Sequence, residues 1–281
     1  MKKYILSITL PLFGFLSGVT AQELPMPSPT STVMQRVGLT DFEIVYSRPG
    51  VKDRKVFGEL VPYNKMWRTG ANKATALTIS DDVEVHGQKL NAGVYAIFTI
   101  PGEKEWEVIF NKNTEQWGTY DHKDSEDVLK IKVPSETAEY TESMLMYFDD
   151  LKDESATLNL QWEKTRISIP IKVEVGAKAE ANILAAIKEA EGTKSVYRNA
   201  ARYYLTNNMD AAKALEWAKK SVDMGKVYWN MTTLASAQAA NGMKKEAIKT
   251  AEQAKALALE AKSDFYIKEN EKNLAEWKAK K

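Results

Sequence analysis

The chain has 281 residues, 39 basic against 38 acidic side chains for a net charge of +1, and no cysteine. The missing thiol excludes disulfides, CxxC redox chemistry, thiolate zinc sites and a cysteine nucleophile, so a packed core must supply the stability. The near-neutral charge argues against a nucleic-acid partner, and the length exceeds an ordinary domain of about 100–200 residues, so two domains are expected.

Met1-Lys2-Lys3-Tyr4 leads straight into an apolar run from Ile5 to Val19, closed by Val19-Thr20-Ala21 before Gln22. A basic start, a short apolar stretch and a small-residue end make up a secretory signal peptide over residues 1–21, with cleavage expected after Ala21. Pro11 and Gly14 interrupt the run, which is shorter than the roughly 20 residues of a spanning helix, so no transmembrane segment is expected in the mature chain. The product is expected to be exported, to the periplasm or beyond. Residues 22–37 begin Pro-, Ser- and Thr-rich (Leu24-Pro25-Met26-Pro27-Ser28-Pro29) and read as an extended lead-in.

From 38 to 175 alternation dominates. Phe42, Ile44 and Tyr46 share one face of a strand, and Val83–Val85, Val94–Ile100 and Val108–Phe110 supply others. The run from Val83 to Tyr95 sets turn residues between short β-rich pieces, which is hairpin chemistry. Ala156–Trp162 and Arg166–Val173 form a last alternating pair around Glu163-Lys164-Thr165. Many short strands without intervening helices predict an antiparallel β-sandwich.

From Gly176 to Lys281 the texture changes to Ala, Lys and Glu at helical spacing, as in Leu215, Ala218 and Val222, or Ile248, Ala251 and Ala254. Leu234, Ala235, Gly242, Ala247 and Ala254 sit at the offsets of a tetratricopeptide-like helix pair. A weaker copy, at Ala214-Leu215, Ala218 and Ser221, precedes it by about one repeat. An ordinary helical bundle with alanine contacts is the alternative. Charge divides along the same line, with 18 basic and 25 acidic residues over 22–175 against 19 and 13 over 176–281. Such an asymmetry could join the two domains or hold the helices to an acidic partner, although solvated lysine faces account for it more simply.

Motif searches return no nucleophile elbow, zinc-protease helix, phosphate loop or dinucleotide fingerprint. Only two histidines exist, His86 in the hairpin and His122 in a polar loop; both read as surface residues, and no metal or cofactor site is assigned. The density of arginine, tryptophan and glycine from Arg48 to Asn72 is more informative, because connections of that length are commonly functional or packed over a sheet. Tyr46, Arg48, Trp67, Arg68 and Asn72, with Trp117 further on, are the candidate binding residues. Guanidinium forks match carboxylate or phosphate, and indole faces stack on sugar rings. The competing reading, weighted slightly above it, is structural: arginines tied to carbonyls and tryptophans filling a core.

The ordered series Tyr46-Ser47-Arg48-Pro49, Phe57-Gly58, Val61-Pro62-Tyr63, Trp67-Arg68-Thr69-Gly70-Ala71-Asn72, Ala92-Gly93-Val94-Tyr95, Asn111-Lys112, Gln116-Trp117-Gly118 and Trp162-Glu163 resembles an exported bacterial family, domain of unknown function 2911. The resemblance covers roughly Leu24 to Val175. The helical tail, including Ala214-Leu215-Glu216-Trp217, is similar to an extension seen in some members. Asn91 departs from the proline usual in the family's Leu-Pro-Ala-Gly turn, which should relax that turn. The resemblance implies export and a β domain, and brings no activity or catalytic residue.

Three functional expectations follow. The first is a non-enzymatic periplasmic binding or interaction protein whose helical domain takes a peptide or protein partner. The second is a carbohydrate- or anion-binding, or hydrolytic, site on the β domain around Arg48, Arg68 and Trp117. The third is a structural envelope protein.

Overall fold

The structure, a computed structural model, describes residues 24–189 and 193–279, so the expected signal peptide lies outside the described residues. The chain divides into two compact units between Lys172 and Val173.

Among the described residues the first unit is a nine-stranded sheet: β1 (Thr30–Val37), β2 (Thr40–Ser47), β3 (Thr75–Ile79), β4 (Val83–Val85), β5 (Gln88–Leu90), β6 (Gly93–Ile100), β7 (Glu105–Asn111), β8 (Asp127–Asp149) and β9 (Ser155–Val173). The spatial order is β1-β2-β3-β6-β7-β8-β9-β4-β5, and the pairings are antiparallel. Strand β1 occupies the second half of the segment read as a lead-in, paired along its whole length with β2. The alternation in β2 is as expected, with Phe42, Ile44 and Tyr46 all buried. The β4–β5 hairpin turns at His86 and Gly87, which both have positive φ (50° and 76°), the conformation whose twist suits a two-residue hairpin.

The two long strands let the sheet fold over itself. The start of β8 pairs with β7 and the remainder with β9, with register shifts between Thr137 and Leu145. Opposite them in β9, Glu163 has φ of 55°. A β-bulge of this kind inserts a residue and reverses which side chains face inward. Accordingly the buried positions run Ala156, Leu158, Leu160 and Trp162 before it, then Ile167, Ile169, Ile171 and Val173 after it. The expected pair of strands around Glu163 is therefore one bent strand. Past the end of β7, the chain following β2 lies against β8, through Met144 N–H to Pro49 O (3.0 Å) and Val51 N–H to Glu142 O (2.8 Å). Phe42 meets Phe148 at 5.5 Å between rings, so β2 and the far half of β8 face each other across the core.

Among the described residues the second unit has six helices: α1 (Gly176–Glu189), α2 (Lys194–Thr206), α3 (Ala211–Asp223), α4 (Tyr228–Ala240), α5 (Lys244–Glu260) and α6 (Asp264–Ala279). Asp210 caps α3 by accepting from Ala212 N–H and Lys213 N–H. Small residues recur at a constant step of 33, from Ala214 to Ala247, Ala218 to Ala251 and Ser221 to Ala254, and all six are fully buried. This is the contact pattern of repeated helical hairpins, in which missing side-chain bulk lets helix backbones approach.

Candidate functional site

Between β2 and β3 the chain spends residues 48–74 without a regular strand. Its second part is pinned to the sheet where Trp67 exchanges backbone hydrogen bonds with Thr99 of β6 (2.7 and 2.9 Å). The turn that follows is strained. Thr69, fully buried and β-branched, has φ of 56°, a region costing such residues about 1–3 kcal/mol. A Cβ on Gly70 would stand 3.1 Å from Ser47 O, so the turn sits close against the end of β2. Thr75 Oγ1 donates to Thr69 O and the Trp67 indole N–H to Gly70 O, which hold the turn in place.

Under this loop is an aromatic cluster. Trp67 stacks on Trp162 at 5.8 Å and 23°, and Phe57 meets Trp106 edge-on at 4.8 Å. Above the Trp67–Trp162 pair opens a cavity of about 440 Å³, lined by Lys52, Arg54, Lys65 and Arg68, by Ser28, and by apolar groups including Pro49, Leu60, Met66 and the two indoles. Among the described residues no carboxylate lines it. The acids that touch the loop are engaged elsewhere: Glu163 accepts from Val56 N–H (3.1 Å) and Glu142 from Lys52 N–H (3.1 Å) and the Tyr140 hydroxyl (2.6 Å). That last bond pushes the Tyr140 pKa up to about 12. Together with the Lys52 amide, it holds the Glu142 carboxyl below the usual range.

The cations differ in how far they are satisfied. Arg54 donates to Val51 O and Gly50 O, tying its own loop. The side chains of Lys52, Lys65 and Arg68 have no hydrogen bond or ion pair among the described residues, and Arg68 Nε is sealed from solvent with no acceptor. Buried polar atoms are nearly always partnered, so this one is an anomaly located in a cavity wall.

Of the residues singled out in the sequence, Trp67 and Arg68 line the cavity. Arg48 and Asn72 brace its walls: Arg48 Nε donates to Met144 O (2.8 Å), and Asn72 Nδ2 donates to Ser28 O and Ser47 Oγ (both 3.2 Å). Tyr46 is buried behind, its hydroxyl accepting from Met146 N–H at 3.0 Å. Trp117 does not line the cavity and is 64% exposed. Sequence reasoning missed Trp162, Lys52, Arg54 and Lys65. A charge count would have flagged the last three, since residues 48–72 carry six basic and two acidic side chains inside a net-acidic domain.

A second cluster lies between β7 and β8, where a single 3₁₀ turn (Asp124–Glu126) places His122, Asp124 and Asp127 together. His86 is exposed, as expected. His122 is not the surface residue expected: its side chain is 5% exposed and packs edge-on against Phe98 of β6, because the loop folds down over that strand. Burial works against the Asp127 carboxylate, yet hydrogen bonds from Asn111 and Lys130 outweigh it and hold its pKa below the ordinary aspartate value.

No described helix is long and apolar enough to cross a membrane. A family model described as Protein of unknown function (DUF2911) matches residues 28–171, which is just over half the chain and nearly all of the sheet. No curated protein and no solved structure matches.

Proposed function

The chain belongs to the DUF2911 family, and we propose that it is exported, on the sequence of residues 1–21, and that the geometry of its β unit suits binding of a small anion with a flat or apolar body. The observation that carries this reading is the cavity lining, which among the described residues has four cations, no carboxylate and a stacked indole pair. A buried donor without an acceptor costs about 1–3 kcal/mol, and a carboxylate or phosphate oxygen meeting Arg68 would remove that cost on binding. Indole and aliphatic walls suit a ring or hydrocarbon body. The volume falls within the roughly 300–1,000 Å³ of small-molecule sites. Cations and indoles, with no lining carboxylate or imidazole among the described residues, favour holding a ligand over general acid–base turnover.

Thermal unfolding of the full mature chain with phenyl phosphate, inorganic phosphate, glucuronate and phenol tests the reading. Phenyl phosphate should raise the melting temperature saturably, the other anions less, and neutral phenol not at all. A shift with phenol equal to that with phenyl phosphate would leave the cations without a role. A larger response to glucuronate would assign the site to acidic saccharides.

The helical unit supports a second reading, docking of a peptide or protein partner. Arg198 on α2 donates to Tyr266 on α6 and to Thr233 on α4, and lies 5.8 Å over the Trp229 ring. Phe265, beside Tyr266, is 62% exposed. An arginine and aromatic row across three helices has the composition of binding hot spots. A photoreactive residue at Phe265 should give a discrete adduct in cells, whereas adducts no different from those at exposed Lys249 would count against docking.

A further inference from the structure

The cluster between β7 and β8 has no part in the anion cavity and carries its own chemistry. His122 Nε2 stands 3.3 Å from Asp124 Oδ1 and 3.3 Å from Asp127 Oδ1, and the three ligand atoms lie within 4.8 Å of one another. We propose that these three side chains bind one divalent transition-metal ion of the zinc or manganese type, with water completing its coordination.

Two observations support a metal over an ion pair. The first is distance: atoms bound at about 2.0–2.2 Å to a single ion stand about 3–3.5 Å apart, the separation seen from the imidazole to each carboxylate. The second is His122 itself. Its side chain is 95% buried, yet among the described residues neither ring nitrogen has a hydrogen-bond partner, and Nε2 stands 3.3 Å from two carboxylate oxygens without hydrogen-bonding geometry to either. A buried imidazole in that state lacks only an electrophile at the point where the three donors converge.

The surroundings hold the donors in place. The Phe98 and His122 rings meet edge-to-face with centroids 4.9 Å apart, a packing that restricts the tilt of the imidazole. Asn111 Nδ2 donates to Asp127 Oδ1 (2.7 Å) and Lys130 Nζ forms an ion pair with Oδ2 (2.9 Å), the kind of outer contacts that orient a ligating carboxylate. Asp124 is 84% exposed, so one side is open for entry of the ion and for bound water. Two carboxylates against Lys130 leave a net negative charge to receive a dication. One imidazole with two carboxylates is a mixed donor set that suits zinc or manganese better than a soft ion requiring thiolate.

The test is calorimetric titration of zinc into chelator-stripped, full-length mature protein, with the His122 ring nitrogens followed by NMR. One ion per chain should bind, shifting the His122 Nε2 resonance. Asp124→Asn, at an exposed position, should leave the metal-free protein folded and weaken binding at least tenfold, while His86→Ala should bind as the parent does. The proposal is overturned by absence of a binding isotherm, by a His122 signal that zinc does not move, or by an Asp124→Asn variant that binds zinc like the parent.

Discussion

Replacing Arg68 with methionine should make the ligand-free protein more stable and the liganded protein less so. In the ligand-free state Arg68 Nε is buried without an acceptor, a condition that costs about 1–3 kcal/mol. Methionine keeps an unbranched apolar stem against the wall while removing that donor. The side chain as a whole is half-buried, so part of its charge remains hydrated and the lower end applies, a gain of about 1 kcal/mol. For a unit of about 150 residues that raises the melting temperature by about 2–4 °C. With phenyl phosphate at about 100 times its dissociation constant, the parent gains about 2.7 kcal/mol and the variant gains nothing. The order of stabilities should therefore reverse between the two conditions. Differential scanning calorimetry of the full chain, with and without ligand, reads both states. If Arg68→Met destabilises the ligand-free protein by about 2 kcal/mol or more, as loss of a buried tie would, Arg68 is a structural strut and the reasoning fails.

Trp106→Ala should cost about 3–5 kcal/mol in urea denaturation, because the ring is 1% exposed against Phe57; a loss below about 1 kcal/mol would show that the cluster is not a tightly packed core. Glu142 has a depressed folded pKa, so the anchoring it gives the cavity loop is complete above the ordinary glutamate value of about 4.3 and is lost as pH falls through the lower folded value. In an ultraviolet titration, one tyrosine should ionise near 12, and Glu142→Gln should return it toward the usual value. Mass spectrometry of the protein from the envelope fraction should find Gln22 as the first residue, and an intact Met1 in the cytosol would remove the export reading.

Local chemistry carried most of the fold. Alternation in β2, turn residues at His86-Gly87 and small residues at helical spacing in two copies about one repeat apart are each decided by neighbours along the chain, and the structure uses them as read. What escaped depends on partners distant in sequence or on a change of phase. Glu163 breaks the alternation of β9 from even to odd positions, which in sequence looks like a strand end and in space is a bulge. Trp162 reaches the cavity from 95 residues after Trp67, and no spacing announces the stack. Trp117 carries the same side chain but is exposed and away from the cavity, since residue type alone does not say which face of a loop turns inward. Arg68 was legible as a candidate, while its missing acceptor could be seen only in three dimensions.

The seven tryptophans give seven indole N–H signals, three of them from Trp67, Trp162 and Trp117. Titration of isotopically labelled protein with phenyl phosphate is the most direct test of the anion cavity. The account predicts that the Trp67 and Trp162 signals move together along one saturable curve, while Trp117 and the helical Trp217, Trp229 and Trp277 stay still. Movement of Trp117 alone, or of no indole at all, would contradict it.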